Sequence, residues 1–280
     1  MNAFKFIFAA FLVTSSVSCS DQSAIFKPAP SNNIIAGEKS APDSLIGRAT
    51  VILNTQNGKY CTGVLLNDHV VLTAAHCVEN RVVLNVNIPA APRSCFISKV
   101  AEQALAPQLP GKNFPPDLAL LRLTTPVCVP PPTVLDSNLE ISMQVTTAGY
   151  GEGTKPTSPD TFDMTVTSSN TEDLHALFMN GYENNKAVRE DWDFFKKNMP
   201  EFADIYLFAI ADNTDQTACM GDSGGPIFRE VNGVLHIYGV VGGAFPHTEK
   251  GVSRCQSSYL QFFGPVGPSL PWLTEKLQSW

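Results

Sequence analysis

From Ile34 onward the chain is a succession of short apolar runs broken by turn residues. Two such runs flank Asn57-Gly58 in RATVILNTQNGKYCTGVLL, residues 48–66. That dipeptide suits the positive φ angles of a tight hairpin, so the spacing predicts two antiparallel strands. The runs VVLTAAHC (70–77), RVVLNVNI (81–88), CFISKV (95–100) and LALLRL (118–123) extend the series. Then TTPVCVPPPTVLDSN, residues 124–138, breaks it with four prolines. Proline cannot donate to a strand ladder, so this stretch reads as a connector. Strands resume at SMQVTTAGYG (142–151), TFDMTVTS (161–168), DIYLFAI (204–210), GPIF (225–228) and GVLHIYGVVGGA (233–244).

Two regions follow a different period. Residues 171–200 carry apolar positions at helical spacing, and Thr171 with Glu172 and Asp173 suits a helix start. One or two short helices are expected there, inserted in the second half of the chain. The terminal SLPWLTEKLQSW predicts a helix with Trp272, Leu273 and Leu277 facing inward. The chain is therefore all-β with helical additions. Two packed antiparallel β-barrels account for two sets of strands split by a connector, and a single β-sandwich competes with them.

The amino-terminal segment changes the picture of where the protein works. Lys5, an apolar run from Phe6 to Val13 and then small residues form a secretory signal pattern over residues 1–19. Its SVSC end makes Cys19 either a lipid-attachment site or a cysteine of no consequence. Residues 20–33 are polar, hold two prolines and read as a propeptide or tether. Residues 34–280 form the main domain, with one lobe over about 34–135 and the other over about 140–270. The expected product is secreted, or anchored at the outer membrane as a lipoprotein, and monomeric. Net charge is −7, and removal of residues 1–33, with two Lys and one Asp, makes it −8. An acidic exported chain is a poor nucleic-acid binder. Beyond Cys19 there are six cysteines, Cys61, Cys77, Cys95, Cys128, Cys219 and Cys255, and disulfides are their expected state. No CxxC or HxxxH spacing points to a metal, and no cofactor is implied.

Three motifs carry chemistry. ACMGDSGGP, residues 218–226, sets Ser223 among glycines. It reads as a glycine-rich turn or as a nucleophile, with Gly221 free to turn its N–H, and that of Ser223, toward one oxygen. LTAAHC offers His76 as a base. His69, His175, His236 and His247 fit surface or structural roles. DLALLRL offers Asp117, a carboxylate drawn inward by the apolar run after it and needing a partner. A serine hydroxyl needs such a base, and the base needs a group that holds its tautomer. GDSGG also fits the G-x-S-x-G elbow, but Pro226-Ile227-Phe228 leads into a strand and the order is His, Asp, Ser, so an esterase or lipase elbow is excluded.

IIAG at Ile34–Gly37, LTAAHC, DLALLRL, TAGYG and GDSGGP stand in the order of the chymotrypsin-like (trypsin family) serine proteases, which the chain resembles from Ile34 to its end, as an exported, bacterial-type precursor. The resemblance implies two six-stranded β-barrels with the site between them. It assigns His76 as general base, Asp117 as its orienting group, Ser223 as nucleophile, and Gly221 with Ser223 as oxyanion donors. It implies activation by a cut before Ile34, whose ammonium pairs with Asp222. Asn33 stands where many relatives have Arg or Lys, so the activating protease is unknown. Thr217 takes the pocket-floor position, and Gly242, Gly243 and Ala244 stand where the family reads Ser-Trp-Gly. An uncharged Thr217 argues against strict specificity for Lys or Arg, and Ala244 narrows the pocket while the two glycines loosen its rim, so small or medium apolar side chains of a protein or peptide substrate are expected. The resemblance pairs Cys61 with Cys77 and Cys219 with Cys255, with Cys95 and Cys128 as the third pair. A non-catalytic binding protein on the same scaffold is the alternative.

Overall fold

The structure, a computed structural model, describes residues 37–280 except 57, 80, 90, 92–94, 113, 129, 152–157, 168–204, 213–215 and 245–259. The leader, Cys19, the tether, Ile34, the 171–200 segment and Cys255 thus lie outside the described residues. The described chain begins with β1 (Glu38–Lys39) and a short helix, α1 (Leu45–Ala49), that the apolar pattern does not announce. Ser44 caps α1: its hydroxyl oxygen accepts the Gly47 N–H at 3.1 Å, satisfying a donor the helix cannot.

The first sheet is antiparallel; β2 (Thr50–Thr55), β3 (Tyr60–Leu65), β4 (Val70–Thr73), β5 (Val83–Asn87), β6 (Ile97–Ser98) and β8 (Ala119–Leu123) fall on the predicted runs, while β7 (Val100–Leu105) runs on beyond the end of CFISKV and was not expected. A four-residue helix, α2 (Ala75–Val78), follows β4. The hairpin at Gly58 forms as expected, with φ +69° at that glycine and the Thr55 N–H bonded to the Lys59 carbonyl at 3.0 Å. The order is β6-β5-β2-β3-β4-β8-β7, and β5 approaches β7 without pairing to it, so the barrel is nearly closed.

The second sheet comprises β9 (Thr133–Leu135), β10 (Gln144–Gly149), β11 (Asp160–Thr167), β12 (Leu207–Ala211), β13 (Pro226–Val231), β14 (Val234–Ala244) and β15 (Leu260–Pro265). β11-β10-β13-β14-β15-β12 run in series and β12 pairs back to β11, which closes a six-stranded barrel. Two barrels, rather than one sandwich, are therefore observed. β1 lies on the outer side of β11. The connector differs from expectation: its prolines end at Pro132, and the next three residues, with their N–H groups restored, lie parallel to β14 as β9.

Each barrel has its own apolar filling. Val51, Leu53, Val64, Leu72, Leu120 and their neighbours fill the first; Val145, Phe162, Met164, Ile227 and Phe263 fill the second. The terminal helix α3 (Leu270–Ser279) buries Leu273 fully against the first cluster, with Trp272 and Leu277 partly covered, as its spacing predicts. Among the described residues no helix is long and apolar enough to cross a membrane.

Candidate active site

The register of β4 with β8 sets the first half of the site. Leu72 faces Leu120 and Thr73 faces Ala119, so the residues just beyond these strand ends meet. His76, on α2, and Asp117, just ahead of β8, are those residues. The His76 main-chain N–H donates to Asp117 Oδ1 at 2.8 Å, and the ring Nδ1 lies 2.6 Å from Asp117 Oδ2. Both carboxylate oxygens thus engage one residue, which fixes the ring's orientation and leaves Nε2 as its other edge. The Asp117 side chain is 11% exposed and that of His76 39%, so the acid is sheltered while the ring reaches solvent. The Cys61–Cys77 disulfide holds α2 to β3, and its sulfurs lie within 4.8 Å of a His76 ring nitrogen. Sulfurs bonded to each other are not thiolate ligands, so this trio is a brace and not a metal centre.

A His–Asp pair alone is not diagnostic. His236 Nδ1 lies 2.9 Å from Asp136 Oδ2 in the same way. What sets His76 apart is a cleft of about 220 Å³ that it lines together with Gly221 and Ser223. Among the described residues no hydrogen bond joins Ser223 to the ring; such contacts are often long before substrate arrives.

The serine loop runs from Met220 to Gly224, with φ +99° at Gly221, a conformation that costs a residue bearing a Cβ. A side chain at Gly221 would also meet the Gly151 backbone at 2.6 Å. Thr62, on β3, fastens this loop to the first barrel. Its N–H donates to the Ser223 carbonyl at 2.9 Å and its hydroxyl to the Gly221 carbonyl at 2.8 Å. The Tyr150 N–H in turn donates to the Thr62 hydroxyl oxygen at 3.1 Å. No sequence motif singled out Thr62. Among the described residues the N–H groups of Gly221 and Ser223 donate to nothing, while those of Asp222, Gly224 and Gly225 are all bonded.

Asp222 points away from the cleft and is fully buried. Its Oδ1 accepts the Gly151 N–H at 2.7 Å and its Oδ2 the Cys219 N–H at 2.8 Å. Burial pushes its carboxyl up to about 7, against those two hydrogen bonds and with help from the nearby Asp160 charge. Among the described residues no cation faces it. Gly149 makes room for it, since any side chain there would collide with the carboxylate.

The predicted pocket residues do not line this cleft; they lie on the second barrel. Thr217 is buried, and its hydroxyl oxygen accepts from the Gln261 side-chain amide at 3.0 Å. Gln261 pairs across the sheet with Ala244. A Cβ at Gly242 or Gly243 would come within 2.8 and 2.7 Å of the Phe262 ring, so this ring occupies the space that side chains on β14 would take. Tyr206 stands edge-on to Phe262, with centroids 5.7 Å apart. Burial raises the Tyr206 hydroxyl pKa and the Asp117 charge adds to the rise, which sets this aromatic pair next to the site. Gln261, Phe262 and Tyr206 were not found by sequence reasoning. Two consecutive glycines in a strand were the available signal, because they invite a close neighbour.

Cys95 and Cys128 are bonded to each other, and Cys219 is disulfide-bonded too; Cys255 lies outside the described residues. Disulfides of this number fit an oxidising compartment.

The sequence pattern of the Trypsin family matches residues 34–273. "Serine proteinase stubble" of Drosophila melanogaster is 22% identical over 276 residues, covering 89% of this chain and 32% of that protein. This chain therefore spans about a third of that relative's length. "Kallikrein 1-related peptidase b16" of Mus musculus is 27% identical over 256 residues, covering 84% and 88% of the two chains. The solved structure of human heparin binding protein superposes with a TM-score of 0.58 at 18% identity, over 88% of this chain and 97% of that one, which shows the shared fold. With the family pattern running from the IIAG stretch into the terminal helix, and with a two-barrel fold beneath it, the chain belongs to the trypsin family of serine proteases.

Proposed function

We propose that this protein is an exported serine endopeptidase that works through an acyl-enzyme. Ser223 attacks the scissile carbonyl, His76 takes its proton and returns it to the leaving amine, and Asp117 holds the ring and steadies the imidazolium. The N–H groups of Gly221 and Ser223 receive the oxyanion. The observation that carries this reading is that His76, held by Asp117, lines one cleft with Ser223 and with two backbone N–H donors that, among the described residues, have no acceptor.

In the same reading the chain is made as a precursor. A cut before Ile34 frees an ammonium that pairs with Asp222. What supports this is a buried carboxyl, raised by its burial, with backbone donors alone around it. A buried charge without a partner is costly, and the new amino terminus removes that cost. The leader exports the protein, and lipid on Cys19, where attached, tethers it until the cut. The neutral Thr217–Gln261 pair supports an uncharged side chain on the acyl side of the scissile bond.

A serine-directed fluorophosphonate tests the core of the proposal. The processed protein is expected to label and to hydrolyse peptides, and Ser223→Ala to do neither. A folded, processed protein that neither labels nor cleaves leaves the non-catalytic binding role, which the Phe262 ring across Gly242 and Gly243 would then explain.

A further inference from the structure

The wall of the cleft facing the serine loop is built from two pieces of the first barrel. One is the hairpin carrying Lys59 and Tyr60; the other is the exit from α2, carrying Arg81. Both are firmly rooted. The Lys59 carbonyl accepts the Thr55 N–H at 3.0 Å and the Thr55 hydroxyl at 2.6 Å. The Arg81 N–H donates to the Val78 carbonyl at 3.1 Å, and the Gln56 N–H ties the hairpin to Val82 at 3.0 Å. Two cationic residues with anchored backbones therefore line one cavity. Among the described residues no carboxylate lines it, although the chain as a whole carries net charge −7. Among the described residues neither Lys59 nor Arg81 makes an ion pair. An unpaired cation pair beside a nucleophile is a receptor for negative charge.

Which half of a substrate reaches it follows from the other bank. Thr217, Gly242 and Gly243 do not line this cavity; in the reading above they take the acyl half, and this inference rests on that reading. The cavity on the opposite side of Ser223 then holds the departing half. We propose that the Lys59–Arg81 cleft is a binding site for acidic side chains of the substrate segment that follows the scissile bond. The ligand class is a peptide with Asp or Glu in the first positions of the leaving group. Exposed ion pairs are individually weak, so two of them give about a tenfold preference, and salt screens it.

The test uses processed protein and quenched peptides alike on the acyl side, with Asp, Ala or Lys in the first two leaving-group positions. The readout is the ratio of kcat/KM values on one protein sample, which cancels the active fraction. Expected is a ratio of about ten for Asp over Lys at low salt, falling toward one at high salt. Lys59→Ala with Arg81→Ala brings it to about one, and Lys59→Glu with Arg81→Glu inverts it. Equal cleavage of Asp and Lys peptides by an enzyme that labels with phosphonate overturns the site and leaves the peptidase reading intact. In parallel, fluorescent Asp and Lys peptides are titrated onto Ser223→Ala protein. Tighter binding of the Asp peptide, lost in the double alanine variant, supports the site even where no turnover exists. Equal affinity overturns it there too.

Discussion

The two banks of the cleft are finished to different degrees. On the first-barrel bank, both Asp117 carboxylate oxygens and the His76 Nδ1 have partners, and a disulfide braces the corner. On the second-barrel bank, among the described residues, Asp222 lies buried with backbone donors and no cation, two N–H groups have no acceptor, and a phenyl ring fills the space side chains on β14 would take. The difference suggests a division of labour. In the proposed reading, one bank is set by folding alone, and the other is completed after folding by a new amino terminus and a substrate.

The largest effect expected from this contrast falls on the finished bank. Asp117→Asn keeps the shape of the corner but presents an amide where the ring needs an anion, so the wrong tautomer is held. A loss of roughly 10⁴-fold in kcat is expected for the processed enzyme, with little change in folding stability. Steady-state hydrolysis of a peptide ester reads it. A loss of less than tenfold would mean that the corner is structural and that the banks do not divide as described.

The legible and illegible parts of the molecule follow the same line. His76 and Asp117 could be read because each sits beside a strand whose apolar run is plain, and the β4–β8 register does the rest. The hairpin at Asn57-Gly58 and the terminal helix were equally plain, since both depend on local spacing. Gln261 and Phe262 were not. They reach the site only through the pairing of β15 with β14, whose register slips between Val241 and Gly243, and no local pattern announces a slip. Thr62 was hidden for another reason: a threonine in a strand is ordinary, and its two bonds to the serine loop arise from the contact between barrels. β9 was not legible because it is only three residues long and stands directly after three consecutive prolines.

Asp222 offers a sharper test of the unfinished bank. Its carboxyl is raised to about 7 in the fold, above its unfolded value. The folded chain therefore keeps a proton that the unfolded chain has released, and stability is lost as pH rises from about 4 through about 7. A shift of that size corresponds to about 4 kcal/mol over the full range. Urea unfolding of the uncut chain should show this slope, and Asp222→Asn should flatten it. The cut protein, with an ammonium beside the carboxylate, should be flat as well. An uncut chain as stable at pH 8 as at pH 5 would show the bank to be complete already.

The brace on the first bank is worth somewhat less. The Cys61–Cys77 bridge spans 16 residues, and closing a loop of that length contributes about 3 kcal/mol. Cys61→Ala with Cys77→Ala should lower unfolding stability by that amount, and kcat should fall further than stability explains, because the helix that carries the ring loses its tie to β3. Unchanged kcat in the folded fraction would make the bridge a staple for the barrel alone.

The smallest effect probes the phenyl ring. Gly243→Ala puts a Cβ 2.7 Å from the Phe262 ring, and overpacking of this kind costs about 1–3 kcal/mol. If Phe262 occupies that space as a substitute wall, Phe262→Leu should relieve the clash, and the double variant should be more stable than the sum of the single changes allows. Such coupling is expected only for residues in contact, which is what a double-mutant cycle measures. The same pair should shift the preference for acyl-side residues, since the wall they share faces that half of the substrate, while the preference for acidic leaving groups stays with Lys59 and Arg81. A cycle with no coupling would detach Phe262 from Gly243 and leave the second bank open where its ring now stands.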